Sequence, residues 1–166
     1  MKEPLKVHVR QMFPQDHDRF AEIELSADGP WSKADIVDAT RSRDLIAVVV
    51  EHGDTIVGHL LYRNRKDSIE VVRLVVDPAY RRRGVGSRLV DFLKRKAIKR
   101  CRSSVEAIVS EDRVPALRFF RAAGFLAQVP LLRGRFGDLD GIEMRHSPVE
   151  LVVLVPASKK GISSPP

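Results

Sequence analysis

The stretch that decides the fold reads Val75-Val76-Asp77-Pro78-Ala79-Tyr80-Arg81-Arg82-Arg83-Gly84-Val85-Gly86-Ser87. An apolar run precedes it and an amphipathic run follows it, so the pattern predicts a turn between a strand and a helix. The backbone N–H groups that begin a helix attract anions, and glycines at 84 and 86 let a phosphate approach closely. Since a pyrophosphate accepts several amide hydrogens at once, the turn predicts a pyrophosphate-binding loop.

The glycine spacing separates this loop from two other phosphate-binding loops. No Gly-Lys-Ser/Thr follows, as it would in a P-loop, and the three-glycine dinucleotide fingerprint is missing. Neither ATP hydrolysis nor NAD chemistry is supported. The alternative interpretation is a plain turn at Gly84 and Gly86, with the arginines as its solvated rim.

Upstream of the loop, the pattern predicts strands and helices in a fixed order. Apolar and β-branched runs flank the turn His52-Gly53-Asp54 and predict antiparallel strands. Ser32 and Asp35 resemble a helix N-cap. The predicted elements are a strand at Lys6–Arg10, a helix that opens at Pro14-Gln15-Asp16 and stops at Asp28-Gly29-Pro30, a helix at Lys33–Ser42, and strands at Leu45–Glu51, Thr55–Tyr62 and Ile69–Val76.

Downstream of the loop, apolar residues at spacings of three and four predict an amphipathic helix. The polar stretch Arg133–Gly141 is expected to separate late strands, and the composition of Pro156–Pro166 is typical of a tail. The predicted elements are helices at Val85–Arg100 and Pro115–Ala123, and strands at Val105–Val109, Phe125–Leu131, Ile142–Arg145 and Val149–Val155.

Together these elements predict an α/β (α+β) fold with one mainly antiparallel, mixed sheet of six or seven strands and about four helices. A length of 166 residues suits one domain. We expect the domain to cover residues 1–155 and a flexible tail to cover residues 156–166.

Charge and cysteine content limit the partners and the compartment. The net charge is +7, and residues 81–102 hold ten Lys or Arg against the single acid Asp91, so one face should attract a nucleic acid, an acidic protein or a phosphorylated cofactor. Cys101 is the only cysteine, which fits the reducing cytoplasm. No signal peptide or membrane-spanning run is visible, and the five histidines show no metal-ligand spacing.

The quoted loop and its preceding strand resemble the (Gln/Arg)-x-x-Gly-x-(Gly/Ala) signature of the GNAT superfamily of N-acetyltransferases. The block Pro115-Ala116-Leu117-Arg118-Phe119-Phe120-Arg121-Ala122-Ala123-Gly124-Phe125 resembles the second landmark of that family, a helix that ends in Gly-Phe. The order of elements agrees from Lys6 to about Arg145. The pattern is most similar to the branch that acetylates ribosomal-protein N-termini, and many small-molecule acetyltransferases share it.

The resemblance implies an acetyl-CoA-dependent acyltransferase that acts on a primary amine of a protein N-terminus, a lysine or a small molecule. It implies that two strands, Ile69–Val76 and Val105–Val109, splay apart so that pantetheine pairs with backbone between them. The acceptor groove would lie roughly at Ala27–Arg41 and Arg133–Gly141, and a homodimer could form through Val149–Val155. The implied cofactor-binding residues are Leu74, Val75 and Val76 for pantetheine, and Arg81, Arg82, Arg83, Gly84, Val85, Gly86 and Ser87 for the pyrophosphate, with the basic helix near the 3'-phosphate.

Acetyl transfer needs a neutral amine, whereas the reference pKa of lysine is about 10.4 and that of an N-terminus about 7.7 to 8.0. A carboxylate is the usual base. By resemblance, Glu106 aligns approximately with the base of the N-terminal acetyltransferase branch and is narrowly favoured over Glu70. For both, the alternative interpretation is a solvated carboxylate at a strand end. Arg73, inside a buried-looking strand, is expected to contact substrate or to pair with an acid such as Glu51.

One position departs from the family pattern. Phe120 stands where the family commonly has the tyrosine that protonates the departing thiolate, and a phenylalanine has no proton to donate. Water or the proton of the departing ammonium would then serve, since free thiols have a pKa of about 8.5. Alternatively, the chain is an acyl-CoA sensor that does not catalyse. A nucleic-acid-binding module that uses the basic helix ranks last, because no nucleic-acid motif is visible.

Overall fold

The computed structural model describes residues 3–147, which form one eight-stranded sheet with helices on both faces. The strand order is β1-β2-β3-β4-β5-β8-β6, with β7 also paired to β8, and only the β4–β5 pair is parallel. The elements are β1 (His8–Gln11), α1 (His17–Glu24), α2 (Lys33–Arg41), β2 (Leu45–His52), β3 (Thr55–Asn64), β4 (Ser68–Val76), α3 (Val85–Lys99), β5 (Ser104–Ser110), α4 (Val114–Ala122), β6 (Leu126–Ala127), β7 (Leu132–Phe136) and β8 (Leu139–His146).

The predicted fold class is confirmed, although the sheet has eight strands where six or seven were expected. The bounds up to α4 differ from the predicted ones by one or two residues at most positions. The region after α4 differs more. The predicted strand Phe125–Leu131 is limited to Leu126–Ala127, because Pro130 has no N–H to donate to a sheet. The predicted polar loop Arg133–Gly141 instead contains β7 and the turn to β8. Predictions for Val149–Val155 and for the tail at 156–166 lie outside the described residues.

Two apolar cores form because side chains alternate along the central strands. In β2, Val48 and Val50 face α3 and α4 while Val49 faces α1 and α2, and all three are buried. Phe20 and Ile36 from α1 and α2 complete the second core. The sheet is therefore the middle layer of the fold, with α1 and α2 on one face and α3 and α4 on the other.

A bulge in β4 accounts for the divergence of the two parallel strands. The β3–β4 register shifts between Leu61 and Tyr62. In a regular strand Val72 and Leu74 would lie on the same face, but Val72 packs toward α1 and α2 while Leu74 packs on the other face with Val71. The β4–β5 pairing begins at Ser68 opposite Ser104 and extends to Val71 opposite Ala107. Since a bulge bends its strand and disrupts the ladder, β4 leaves β5 at this point. The expected splay is confirmed.

Candidate active site

The loop between β4 and α3 bends first at Asp77 and again at Arg82 and Gly84, just before α3 begins. The Asp77 carboxylate accepts the Ala79 N–H at 2.9 Å and so holds the first bend. Arg82 and Gly84 both have a left-handed backbone, with φ of +61° and +81°. Gly84 is also the N-cap of α3, and no side chain caps that helix. Alternating backbone of this kind makes an anion-binding concavity.

The three arginines of the loop have two different roles. Arg81 holds the loop in place, whereas Arg82 and Arg83 do not. Arg81 donates from Nε to the Val76 carbonyl at 2.9 Å and from Nη2 to the Ser26 hydroxyl at 3.1 Å, so it ties the loop to the end of α1. Arg82 is exposed. The Arg83 Nε atom is buried without a hydrogen-bond partner among residues 3–147. A buried unpaired cationic donor beside the concave turn fits an anionic group such as a pyrophosphate.

A groove of about 260 Å³ lies between α3 and α4 next to the loop, and Ser87 and Phe119 line it. The Phe119 ring covers the first turn of α3 so closely that a Cβ at Gly86 would lie 3.1 Å from a ring carbon. Leu74 of β4 lies on the same side, 3.9 Å from that Cβ position. A side chain at position 86 would therefore require the Phe119 ring to shift by a few tenths of an ångström.

Beside the bulge, Arg73 of β4 forms an ion pair with Glu24 of α1. Arg73 donates to the Glu24 carboxylate from Nε at 3.0 Å and from Nη2 at 2.5 Å, and the Glu24 side chain is fully buried. His59 Nε2 lies 2.7 Å from the same carboxylate. The predicted partner Glu51 is wrong, because Glu51 instead accepts from Arg10 at 2.8 Å.

The pKa values in this cluster show which groups carry charge. Burial alone would raise the pKa of Glu24, but hydrogen bonds from His59, Arg73 and the Trp31 N–H lower it to about 2. Burial lowers the pKa of His59 by more than Glu24 raises it. His59 is therefore neutral near pH 7, and its Nε2–H donates to the carboxylate.

The same cluster fixes the loop between α1 and α2 beside the splay. The Trp31 N–H donates to Glu24 at 3.0 Å, and the Arg73 guanidinium lies 5.6 Å from the centre of the Trp31 ring. Arg73 also donates to the Gly29 carbonyl at 3.0 Å. Arg73 thus joins the bulge of β4 to one predicted wall of the acceptor groove.

The β5–α4 connection links the two predicted walls of the acceptor groove. Arg113 forms an ion pair with Asp28 of the α1–α2 loop. On the other side, Glu111 accepts the Asp140 N–H at 3.1 Å, and its own N–H donates to the Asp140 carbonyl at 3.0 Å. Sequence reasoning missed Arg113 and Glu111, because no local pattern shows contacts with residues 85 and 29 positions away.

The two candidate bases are neighbours on paired strands, and both are hydrogen-bonded. Glu70 and Glu106 face each other in the β4–β5 register, before the strands diverge. Glu106 accepts from the Ser104 and Ser68 hydroxyls at 2.7 and 3.2 Å. Glu70 pairs with Arg65 at 2.7 Å and with Arg63 at 3.4 Å. The described hydrogen bonds hold both carboxylates at the closed end of the splay.

The position of the missing tyrosine lies in the apolar core. Phe120 is 6% exposed, and its ring packs edge-on against Phe119 and Phe125 at centroid distances of 5.2 and 5.1 Å. The Tyr62 phenol lies on β3 beneath α3, where burial raises its pKa to about 12. Tyr80 lies in the loop itself. We therefore assign no phenol as the acid.

Residues 3–147 contain no group of three or more His, Cys, Asp or Glu side chains placed to hold a metal ion. No helix in that range is both long and apolar enough to cross a membrane.

The sheet opens between two parallel strands, and an arginine- and glycine-rich loop precedes the next helix. This combination is typical of acyl-CoA-dependent acyltransferases. The chain belongs to the acetyltransferase (GNAT) family, whose sequence profile matches residues 9–125, most of the chain. As a member of that family it is an N-acetyltransferase, and its acyl donor is acetyl-CoA. No curated protein matches the sequence.

Solved structures share the fold over nearly their whole length. The ribosomal-protein-S18-alanine N-acetyltransferase of Escherichia coli has a TM-score of 0.75 and 19% identity, covering 87% of this chain and 96% of its own. Ard1 from Thermoplasma volcanium has a TM-score of 0.75 and 23% identity, with 87% and 99% covered. An aminoglycoside 6'-N-acetyltransferase complexed with coenzyme A has a TM-score of 0.72 and 18% identity, with 86% and 98% covered. These likenesses establish the fold.

Proposed function

We propose that the chain transfers the acetyl group of acetyl-CoA directly to a primary amine, without a covalent enzyme intermediate. The observation that carries this proposal is the opening between β4 and β5 beside the uncapped start of α3. Cys101, the single cysteine, is exposed just past the far end of α3, about 20 Å from the first turn of that helix at 1.5 Å per residue. Because Cys101 lies outside the loop and outside strands β4 and β5, we expect it to take no part in acetyl transfer.

The test of direct transfer uses initial rates and one variant. We expect intersecting double-reciprocal plots for acetyl-CoA and amine, and we expect Cys101→Ser to keep the wild-type rate of thiol release. Parallel plots together with an inactive Cys101→Ser variant would show a ping-pong mechanism through the thiol.

The cofactor-binding residues that we propose lie on β4 and its loop. Main-chain groups of Leu74, Val75 and Val76, beyond the last β4–β5 pair, would pair with pantetheine as an added strand. The segment Arg82–Ser87 would hold the pyrophosphate through backbone N–H groups and the guanidinium groups of Arg82 and Arg83. Arg81 would act as the brace of this loop. Acetyl-CoA supplies the thioester, and the loop and strand orient it.

As acceptor, we propose the α-amine of a protein N-terminus ahead of a lysine side chain. An N-terminal amine has a reference pKa of about 7.7 to 8.0 and is partly neutral near pH 7.5, whereas lysine at about 10.4 is almost wholly charged. The α-amine therefore needs less help from a general base than a lysine side chain does. One structural neighbour is the ribosomal-protein-S18-alanine N-acetyltransferase of Escherichia coli.

We propose Glu106 as the base, acting through water, with Glu70 as the second candidate. We expect Glu106→Gln to lower kcat by about 100-fold and to shift the acidic limb of the pH–rate profile, because general bases contribute about 10²–10⁴-fold. Glu143→Gln is the matched control, because Arg145 forms ion pairs with both Glu106 and Glu143, and Glu143 lies on β8. If Glu106→Gln and Glu70→Gln both keep the wild-type rate and pH profile, neither residue is the base.

Restoring a phenol at position 120 should raise turnover. We expect Phe120→Tyr to increase kcat about 10-fold, because a tyrosine can protonate the departing thiolate. Phe120→Leu is the control, because it removes the ring without adding a donor. Rates for Phe120→Tyr no higher than those of the wild type would show that protonation of the thiolate does not limit turnover.

The acyl-CoA sensor is the second candidate function. It is favoured by Phe120, which lies in the core where the family commonly has a proton donor. A sensor would bind acetyl-CoA in calorimetry and form no acetylated product with any amine.

We also propose a cytoplasmic homodimer. The cytoplasm is supported by the single exposed cysteine. Dimerisation is supported by an apolar groove of about 530 Å³ between α4 and the β6–β8 pair, lined by residues that include Leu117 and Ile142, and by the 71% exposure of Leu126 nearby. Light scattering should give twice the chain mass of 18.7 kDa, and a monomer mass would contradict the proposal.

A further inference from the structure

The far end of α3 carries a group of basic side chains that the cofactor loop does not use. Lys96, Lys99 and Arg100 lie in the last turn of the helix and its C-cap, while the loop lies at its start. At 1.5 Å per residue, about 20 Å of helix separates Val85 from Lys99. A pyrophosphate on the loop therefore leaves these charges unneutralised.

Two more basic residues join this group from neighbouring connections. Arg102 donates to the Lys66 carbonyl, and Ser103 donates its N–H and hydroxyl to the Asp67 carbonyl at 2.8 and 2.7 Å. These bonds hold the β3–β4 turn against the α3–β5 connection. We call the resulting region the distal basic surface; it consists of Lys66, Lys96, Lys99, Arg100 and Arg102.

The cations of the distal basic surface are crowded and lack acidic partners in the described part of the chain. None of the five takes part in an ion pair within residues 3–147, where Glu70 is used by Arg63 and Arg65. Asp67 is the one acid in the β3–β4 turn. Burial and the nearby charges of Arg100 and Lys99 lower the pKa of Lys96. Repulsion of this kind is relieved when an anion binds.

Three kinds of anionic partner could bind the distal basic surface, and its composition favours one of them. A membrane surface would need an apolar face for insertion, and Ile98, at 59% exposure, is the one large exposed apolar side chain of α3. A protein partner would need an apolar core, and the rings of Tyr62 and Phe92 lie beneath Lys96 at 5.6 Å. The phosphates of a nucleic-acid backbone, in contrast, can be bound by Lys and Arg side chains alone.

We propose that the distal basic surface binds the phosphate backbone of a nucleic acid, independently of sequence and separately from acetyl-CoA. On sequence alone a nucleic acid ranks last as a partner, because no recognition motif is visible. The distance of these cations from the cofactor loop changes that ranking. Binding requires no base contacts, so RNA and DNA share the chemistry.

The experiment measures fluorescence anisotropy of labelled 20-base-pair RNA and DNA duplexes from 50 to 200 mM salt. The site variant combines Lys66→Gln, Lys99→Gln and Arg100→Gln, all at exposed positions. The control variant combines Lys6→Gln, Arg43→Gln and Arg118→Gln, which are also exposed and remove the same charge elsewhere. Both variants should release thiol from acetyl-CoA at the wild-type rate.

We expect the site variant to bind either duplex at least about 10-fold more weakly and to reduce the slope of log K against log[salt] by roughly 2 to 3, about one unit for each lost phosphate contact. The control variant should stay within about 2-fold of the wild type. Saturating acetyl-CoA should leave duplex binding unchanged. A preference for RNA or for DNA would identify the natural source of the phosphates.

Three outcomes would overturn the proposal. Equal weakening by both variants would show an effect of net charge alone. Displacement of the duplex by acetyl-CoA would place binding on the cofactor loop. Binding to phosphatidylserine vesicles without binding to either duplex would identify a membrane surface as the partner.

Discussion

Replacing Glu24 by glutamine is expected to lower the free energy of unfolding by about 3–5 kcal/mol, because breaking a buried ion pair leaves its partner uncompensated. The carboxylate of Glu24 is fully buried, and it accepts hydrogen bonds from Arg73, His59 and Trp31. Urea denaturation at pH 7 measures the loss. Glu51→Gln is the control: its pair with Arg10 is partly exposed, and Arg10 keeps Asp16 as a partner, so we expect a loss below about 1 kcal/mol.

The same cluster should make the protein sensitive to acid. The pKa of Glu24 falls from 4.5 to about 2 in the folded state, so its stabilisation is complete above pH 4.5 and is lost as the pH falls toward 2. The pKa of His59 is also lowered, so protonation of the unfolded chain costs further stability below about pH 6.5. In Glu24→Gln the decline between pH 4.5 and 2 should be smaller than in the wild type. An identical decline in both proteins would show that Glu24 is not the titrating group.

The second large effect is expected at the cofactor loop, where Gly84→Val should weaken acetyl-CoA binding by about 100-fold. Gly84 has φ of +81°, and a β-branched side chain is strained in that conformation wherever it points. A Cβ there would meet only Pro4, at 4.0 Å, so the effect arises from the backbone and not from a clash. Moving the backbone would cost N–H bonds to a charged phosphate, each worth about 1.5–3 kcal/mol.

Gly53→Val is the matched control for this variant. Gly53 lies in the β2–β3 turn with φ of +61° and no atom within 4 Å of the Cβ position, so the backbone strain is comparable. Thermal melts should show similar losses for the two variants, while isothermal titration should show weaker acetyl-CoA binding only for Gly84→Val. Equal affinity in both variants would mean that the loop does not bind the cofactor.

Local patterns predicted the central elements well. Glycine spacing identified the loop, and apolar spacing placed the helix after it within one residue of α3. The strand before it begins one residue earlier than predicted. These features depend on neighbouring residues, so one sequence is enough to find them.

Features that depend on distant contacts could not be predicted. Arg73 pairs with Glu24, 49 residues away, because α1 packs over β4 and delivers that carboxylate. The bulge at Val72 is visible only in the pairing with β3. The β7–β8 hairpin was missed because four of the five β7 residues are exposed, so no apolar alternation marks the strand.

In the candidate site, too, features set by neighbouring residues could be predicted and features set by distant contacts could not. The glycines and arginines of the loop could be identified in order, but the use of Arg81 as a brace depends on Ser26 of another element. Glu70 and Glu106 could be placed on their strands. Their orientation follows from Arg65, Ser68 and Ser104, which hold the carboxylates at the closed end.

The most direct test of the central claim is thiol release from acetyl-CoA against a panel of N-terminal peptides, lysine peptides, polyamines and small amines, with mass spectrometry of the products. Acetyl transfer to a primary amine predicts amine-dependent thiol release and a product heavier by one acetyl group, with the highest kcat/KM for a peptide α-amine. Tight binding of acetyl-CoA in calorimetry without acetylated product from any amine would contradict the claim and would identify the chain as an acyl-CoA sensor.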